Sequence, residues 1–150
     1  MATRILATVD LTHTETLERV IAAAVAQTQA HAGELTVLSV VPDIATGIDY
    51  RYAIRGEMGG SQDYDLKAVV ADALERLNEV VAERVPAGME VQTIVRHGVV
   101  YEQVLAVAGE IEADHIVIGA RSRGVGDFLI GTNAARVVRH AHCSVNVVRN

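Results

Sequence analysis

Between Arg4 and Asp10 the chain reads RILATVD, an apolar run closed by an acid, and the pattern then changes period. Four more short runs of the same character follow: ELTVLSVV (34–41), MEVQTIV (89–95), HIVIG (115–119) and SVNVVR (144–149). Their β-branched, aliphatic composition predicts strands. Between them the apolar positions recur at helical spacing. Leu17, Val20, Ile21, Ala24 and Val25 form one face of a helix running from Leu11 to Gly33. Thr12 and Glu15 have capping-box spacing at its start, and Gly33 is a left-handed stop. The strongest helix covers 62–84, with Leu66, Val69, Val70, Ala73, Leu74, Leu77, Val80 and Val81 in one stripe and Pro86 and Gly88 beyond it. Gly98 turns the chain into a third helix, 99–112, whose stripe is Val100, Val104, Leu105, Ala108 and Ile111. A fourth helix is predicted over 132–140. Only 42–61, opening at Pro42, lacks a period; so long a segment without structure is uncommon in a compact domain and reads as a functional cover, partly helical or mobile.

Strand and helix thus alternate from end to end, with no internal repeat and no linker. That order predicts parallel strands joined by right-handed crossovers, a three-layer α/β/α sandwich in a single domain, 1–150. Ligands of such sheets bind beyond the carboxyl ends of the strands, where the strand order reverses. Asp10 and Gly119 both end strands. With a sheet order of 3-2-1-4-5 they border one crevice.

Composition narrows the function. Aliphatic residues must build the core, because aromatics are only 3% of the chain. Platforms for stacking nucleobases are correspondingly scarce, and the net charge of -6 gives little attraction to nucleic acid or an anionic membrane. MATRILATVD lacks the basic-then-apolar order of a secretion signal, and no run approaches the ~18 apolar residues of a membrane span. The lone Cys143 excludes an intrachain disulfide and suits a reducing compartment. A soluble, cytoplasmic protein is expected.

Against this acidic background GARSRGVGDFLIGTNAARVV, Gly119–Val138, stands out. Arg121, Arg123, Arg136 and Arg139 gather between Gly119 and His140, where Asp127 is the only acid. Gly124-Val-Gly126 begins a G-x-G-x-x-G pattern, but Leu129 stands at the third glycine. Ser122 is not in G-x-S-x-G, and there is no P-loop lysine. What remains is an arginine-bearing glycine loop leading to Gly131-Thr132-Asn133 at a helix start. Free amides and the positive end of the helix dipole suit an anion there, and Thr132 adds a hydroxyl. A plain turn at Gly131 with Thr132 or Asn133 as an ordinary cap explains the same residues.

The stretch resembles the nucleotide loop of the universal stress protein family, whose ATP-binding members carry G-x2-G-x9-G-[ST] after the fourth strand. The likeness extends over the whole chain, through RILATVD, GVVYEQVLAVAGEIEADHIVIGA and GTNAARVVRHAHCSVNVVR. It is strongest to the short single-domain F/G-type members, and it implies the adenine nucleotide alpha-hydrolase-like fold. Gly119 and Gly131-Thr132 fit the ends of the motif. Ser122 occupies the second glycine position, and residues 120–130 are one fewer than the motif has between its end glycines. Arg121 and Arg123 can offset that loss by charge.

The resemblance implies a set of contacts with an adenine nucleotide, ATP or else ADP or AMP. Thr8, Val9 and Asp10 would meet the adenosine, with Asp10 near adenine or ribose, and Thr8 stands where the family usually has proline. Val40 would pack on adenine. Ile118 and Gly119 would lie beside ribose and the α-phosphate, and Ser122, Gly131, Thr132, Asn133 and Ala134 around the phosphates. Judged from the residues alone, Val40 and Ile118 also read as strand core, and Asp10 as a turn residue. Mg²⁺ would accompany the triphosphate with water completing its shell. No general base is evident, so at most slow hydrolysis is expected of a stress-response signalling module with an unidentified protein partner.

The remaining features are weaker. His140-x-His142 lacks companions at zinc spacing, so no metal site is expected. Cys143 reads as a small apolar residue beside the last strand. Val145 to Arg149 form an apolar edge that invites pairing with a second copy, as the family's homodimers do, unless the 42–61 segment covers it. Two rival functions remain: a nucleotide-free dimeric interaction protein of the same fold, and an adenylyl-transfer enzyme, whose usual H-x-G-H or S-G-G-x-[DS] signatures are absent.

Overall fold

A computed structural model of the chain describes residues 2–42, 54, 66–120 and 130–149. The order is β1 (Arg4–Val9), α1 (Thr14–His31), β2 (Glu34–Pro42), α2 (Leu66–Arg84), β3 (Val91–Gly98), α3 (Val100–Glu110), β4 (His115–Gly119), α4 (Thr132–His140) and β5 (Ser144–Val148). All strand pairs are parallel, as the alternating pattern predicts, and the sheet order is β3-β2-β1-β4-β5, the order that brings Asp10 and Gly119 to one crevice. Order reverses between β1 and β4. The run 43–53 and residues 55–65, which hold most of the segment read as a cover, lie outside the described residues, as does the start of the helix expected from 62.

Two cores flank the sheet because alternate strand residues face opposite sides. Ile5, Ala7, Val9, Val37, Val41 and Val117 pack under α1 and α2 with Ile21 and Leu77. Leu6, Leu38, Val40, Ile116 and Ile118 pack under α3 and α4 with Val107 and Val137. The predicted stripes supply the buried and half-buried helix positions, with two corrections. Leu74 is 38% exposed, and Val107, which the stripe of α3 omits, is fully buried.

Several element ends shift, each for a local reason. α1 starts at Thr14, not Leu11, because His13 N–H donates to the Asp10 carbonyl (3.1 Å) and closes a turn first. The expected capping box does not form: the residue before the helix is His13, without a side-chain cap, and the Thr12 hydroxyl turns to Asp10. At the other end Ala32, not Gly33, takes the left-handed conformation (φ 48°). Gly33 is needed because the chain crosses close to Thr3, whose carbonyl accepts Glu34 N–H (2.8 Å). β3 runs on to Gly98 because β2 continues to Pro42 beside it. Gly98 has φ +144° and a Cβ there would meet Gln103, so this position does require glycine.

Candidate functional site

The switch point collects residues from three strands. Thr8 pairs with Leu38 on one side and Ile118 on the other. Thr8, Val40 and Ile118 therefore share the α3/α4 face near the strand ends, at 7%, 7% and 6% exposure. Val9 points to the opposite core. Gly119 is the last residue of β4, and a Cβ on it would lie 2.5 Å from Thr16 Cγ2. The first motif glycine thus lets the first turn of α1 close against the end of β4.

Beyond Gly119, Ala120 N–H donates to the Val148 carbonyl (2.8 Å) and the Ala120 carbonyl accepts Gly131 N–H (3.0 Å). These two bonds tie Ala120 and Gly131 to each other and to the sheet. Arg121, Ser122 and Arg123 lie outside the described residues. Gly131 is the residue before α4, extended at φ -60° and ψ 156°, and its N–H is committed to the Ala120 carbonyl. Its carbonyl accepts Ala135 N–H (2.9 Å). The amides of Thr132, Asn133 and Ala134 are the first-turn donors that a helix leaves over, and none has an acceptor among the described residues. The Ala134 side chain is buried in the α3/α4 core, so only its backbone can meet a ligand. Asn133 Oδ1 accepts Tyr101 N–H (3.2 Å) and so caps α3 from a neighbouring helix. The Arg136 guanidinium lies 4.8 Å from the Tyr101 ring centroid, a cation–π contact that holds the same corner.

Asp10 closes β1 with its carboxylate engaged. Oδ1 accepts Thr12 N–H (2.9 Å) and the Thr12 hydroxyl, and Oδ2 lies 3.0 Å from His13 Nδ1. Asp10 is therefore both the turn residue and a residue of the switch point. Thr12 and His13 are the residues that sequence reasoning missed, although the D-x-T turn signal was present in VDLTH. Of the helices that begin at this end of the sheet, α1 and α4 follow the two strands of the switch point and lie on opposite faces. Each brings the positive end of its dipole, which favours an anion between them.

The residues fit a nucleotide in the parts described: donors for phosphate at α4, a polar cluster at β1, and aliphatic Val40 and Ile118 between. They offer Mg²⁺ no ready-made cage, since no group of three His, Cys, Asp or Glu among the described residues could hold a metal ion. Mg²⁺ would rest on phosphate oxygens and water. A separate cavity of about 670 Å³ lies between α3, the end of α4 and the starts of β4 and β5, lined by Leu105, Gly109, Ile116, His140 and Cys143 among others. It is at the amino ends of the strands, away from the switch point. Burial there, and the nearby Asp114 carboxylate, push the Cys143 thiol above its ordinary pKa. Among the described residues no helix is long and apolar enough to cross a membrane.

The profile of the Universal stress protein family matches residues 1–149, and the chain belongs to that family. Universal stress protein G of Escherichia coli O157:H7 is 38% identical over 78 residues, 52% of this chain and 55% of that protein. The chain thus matches about half the length of such curated relatives. Universal stress protein UspA from Lactobacillus plantarum superposes with a TM-score of 0.68 at 26% identity, covering 99% of this chain and 98% of that one. The universal stress protein of Archaeoglobus fulgidus in complex with dAMP superposes at 0.58 and 19% identity, covering 98% of each chain.

Proposed function

We propose that the chain is an adenine-nucleotide-binding stress-response module of the cytoplasm that takes ATP with Mg²⁺, or ADP or AMP, at the β1/β4 switch point. The observation that carries the reading is the start of α4, where three consecutive amides, Thr132 to Ala134, have no acceptor among the described residues. The dAMP complex of the Archaeoglobus fulgidus relative supports the ligand class. Thr132, Asn133 and Ala134 would hold phosphate through backbone N–H, together with Arg121, Ser122 and Arg123. Gly131 would shape the approach, since its own N–H is used by Ala120. Thr8, Val9, Asp10, Val40, Ile118 and Gly119 would border the nucleoside. Asp10 and His13 stand at the β1 end, not at the α4 end where the phosphates would lie, so hydrolysis is at most slow. Binding signals by favouring one conformation or assembly, here a homodimer joined along β5 that is read by a protein partner.

One observation favours a second reading. With the Gly131 amide committed and Ser122 in place of the motif glycine, a nucleotide-free dimer of the same fold is the alternative. Mass spectrometry of protein purified without added nucleotide, followed by calorimetry with ATP and Mg²⁺, separates the two. Released adenine nucleotide or saturable ATP binding is expected; neither ligand nor binding heat supports the nucleotide-free form.

A further inference from the structure

The cavity at the amino ends of the strands has a one-sided supply of hydrogen-bonding groups. Its volume of about 670 Å³ lies within the range of small-molecule sites, about 300–1,000 Å³. The walls are mostly aliphatic, and the polar side chains in them are Glu102, Glu112, His140, His142 and Cys143. Among the described residues no lysine, arginine, amide or hydroxyl side chain lines it. A carboxylate only accepts hydrogen bonds, and a neutral imidazole keeps one lone pair to accept with. Glu112 is held by Arg4 Nη1 at 3.0 Å, whereas Glu102 has no partner among the described residues. α3 and α4 both end on this side of the sheet, at Glu110 and His140, and each brings the negative end of its dipole. Arg139, in the last turn of α4, does not line the cavity.

Gly109 keeps the space open. It stands inside α3, where glycine is less stable than alanine, yet its backbone is not left-handed and a Cβ there would meet no atom within 4 Å. Gly33, Gly98 and Gly119 each face a close neighbour instead. The fold does not need a glycine at 109, and the cavity does. We infer that this cavity is a second ligand site, separate from the nucleotide crevice, that takes a small organic cation: a primary ammonium donating to Glu102, on a compact apolar body packed against Leu105, Ala106 and Gly109. An anionic ligand would meet Glu102 with no lysine or arginine in the walls to offset it. The inference stands independently of the nucleotide reading.

A ¹H–¹⁵N NMR titration of the full chain compares 1-aminoadamantane, 1-adamantanol and adamantane-1-carboxylate, which share one body and differ in charge. The ammonium should give saturable shifts at the amides of Ala106, Gly109, Ala113 and Ala141, and should bind about tenfold or more tightly than the carboxylate. Glu102→Gln should weaken the ammonium severalfold and leave the alcohol unchanged. Gly109→Leu fills the cavity from a position with room for a side chain, so it should abolish ammonium binding while the melting temperature is kept; Ala106→Leu, on the exposed part of the same wall, gives the same readout. The inference is overturned by an ammonium that gives no saturable shift at the cavity, by an alcohol or carboxylate that binds as tightly, by an affinity indifferent to Glu102→Gln, or by binding that survives the filled cavity.

Discussion

Ser39 is a hydroxyl in the wrong solvent. It is fully buried on β2 beside Val9 and Val95, and its Oγ has no hydrogen-bond partner among the described residues. An unsatisfied buried hydroxyl costs stability, so Ser39→Ala should stabilise the chain by about 1 kcal/mol in urea denaturation. A loss of stability would mean that the hydroxyl is bonded. Gly98 is the opposite case: Gly98→Ala puts a Cβ at φ +144° against Gln103 and should cost at least about 1 kcal/mol. Cys143 has a pKa raised first by burial and then by Asp114. The folded state therefore keeps the thiol proton longer than the unfolded chain does. Its effect on stability is nil below the ordinary thiol pKa, and stability falls as pH rises above it. Alkylation of Cys143 at pH 8 should accordingly be slower in the native protein than in urea. Gly98 was legible as a glycine of the turn into α3, since the strand pattern ends there. Gly33 and Gly119 were legible as glycines but not for their reasons, because Thr3 and Thr16 approach them from elsewhere in the sequence.

The elements themselves were readable because burial imposes its period on the chain: each strand carries a run of aliphatic residues and each helix a stripe. Their junctions were not. The start of α1 is set by hydrogen bonds among Asp10, Thr12 and His13, which compete with the Thr12–Glu15 capping box and prevail. The start of α3 depends on α4: Val99 supplies no side-chain cap, and Asn133 reaches across to Tyr101 instead. Asn133→Ala should therefore cost about 1 kcal/mol of stability, the usual size of a lost cap. The same change should leave in place the amide of residue 133 that the proposal assigns to phosphate, so ATP affinity measured below the melting transition should fall far less than stability does. A loss of affinity with unchanged stability would instead assign the Asn133 side chain to the ligand.

At the scale of the molecule, alternation of strand and helix was enough to give parallel strands in three layers but not the order of the strands, and it is the observed order that locates the switch point. What remained out of reach was which donors are free there. The bond from Gly131 N–H to Ala120 joins residues eleven apart, and no local pattern announces it. The other whole-molecule feature is the edge. β5 pairs with β4 alone among the described residues, and Ser144 and Asn146 are exposed on it. Replacing both with glutamate places like charges on facing copies of an antiparallel pair. If β5 joins the dimer, sedimentation should show the double variant as a monomer, more so at low salt. A dimer that persists would move the interface elsewhere. The central claim is that the first-turn amides of α4 hold the phosphates, and Thr132→Pro tests it most directly. Proline suits the first position of a helix, and Gly131 at ψ 156° already has the extended backbone that a following proline requires, so the fold should be kept while one donor is removed. Calorimetry should show ATP affinity reduced about tenfold, near 1.4 kcal/mol, with an unchanged melting temperature. Undiminished ATP affinity in that folded variant would contradict the account.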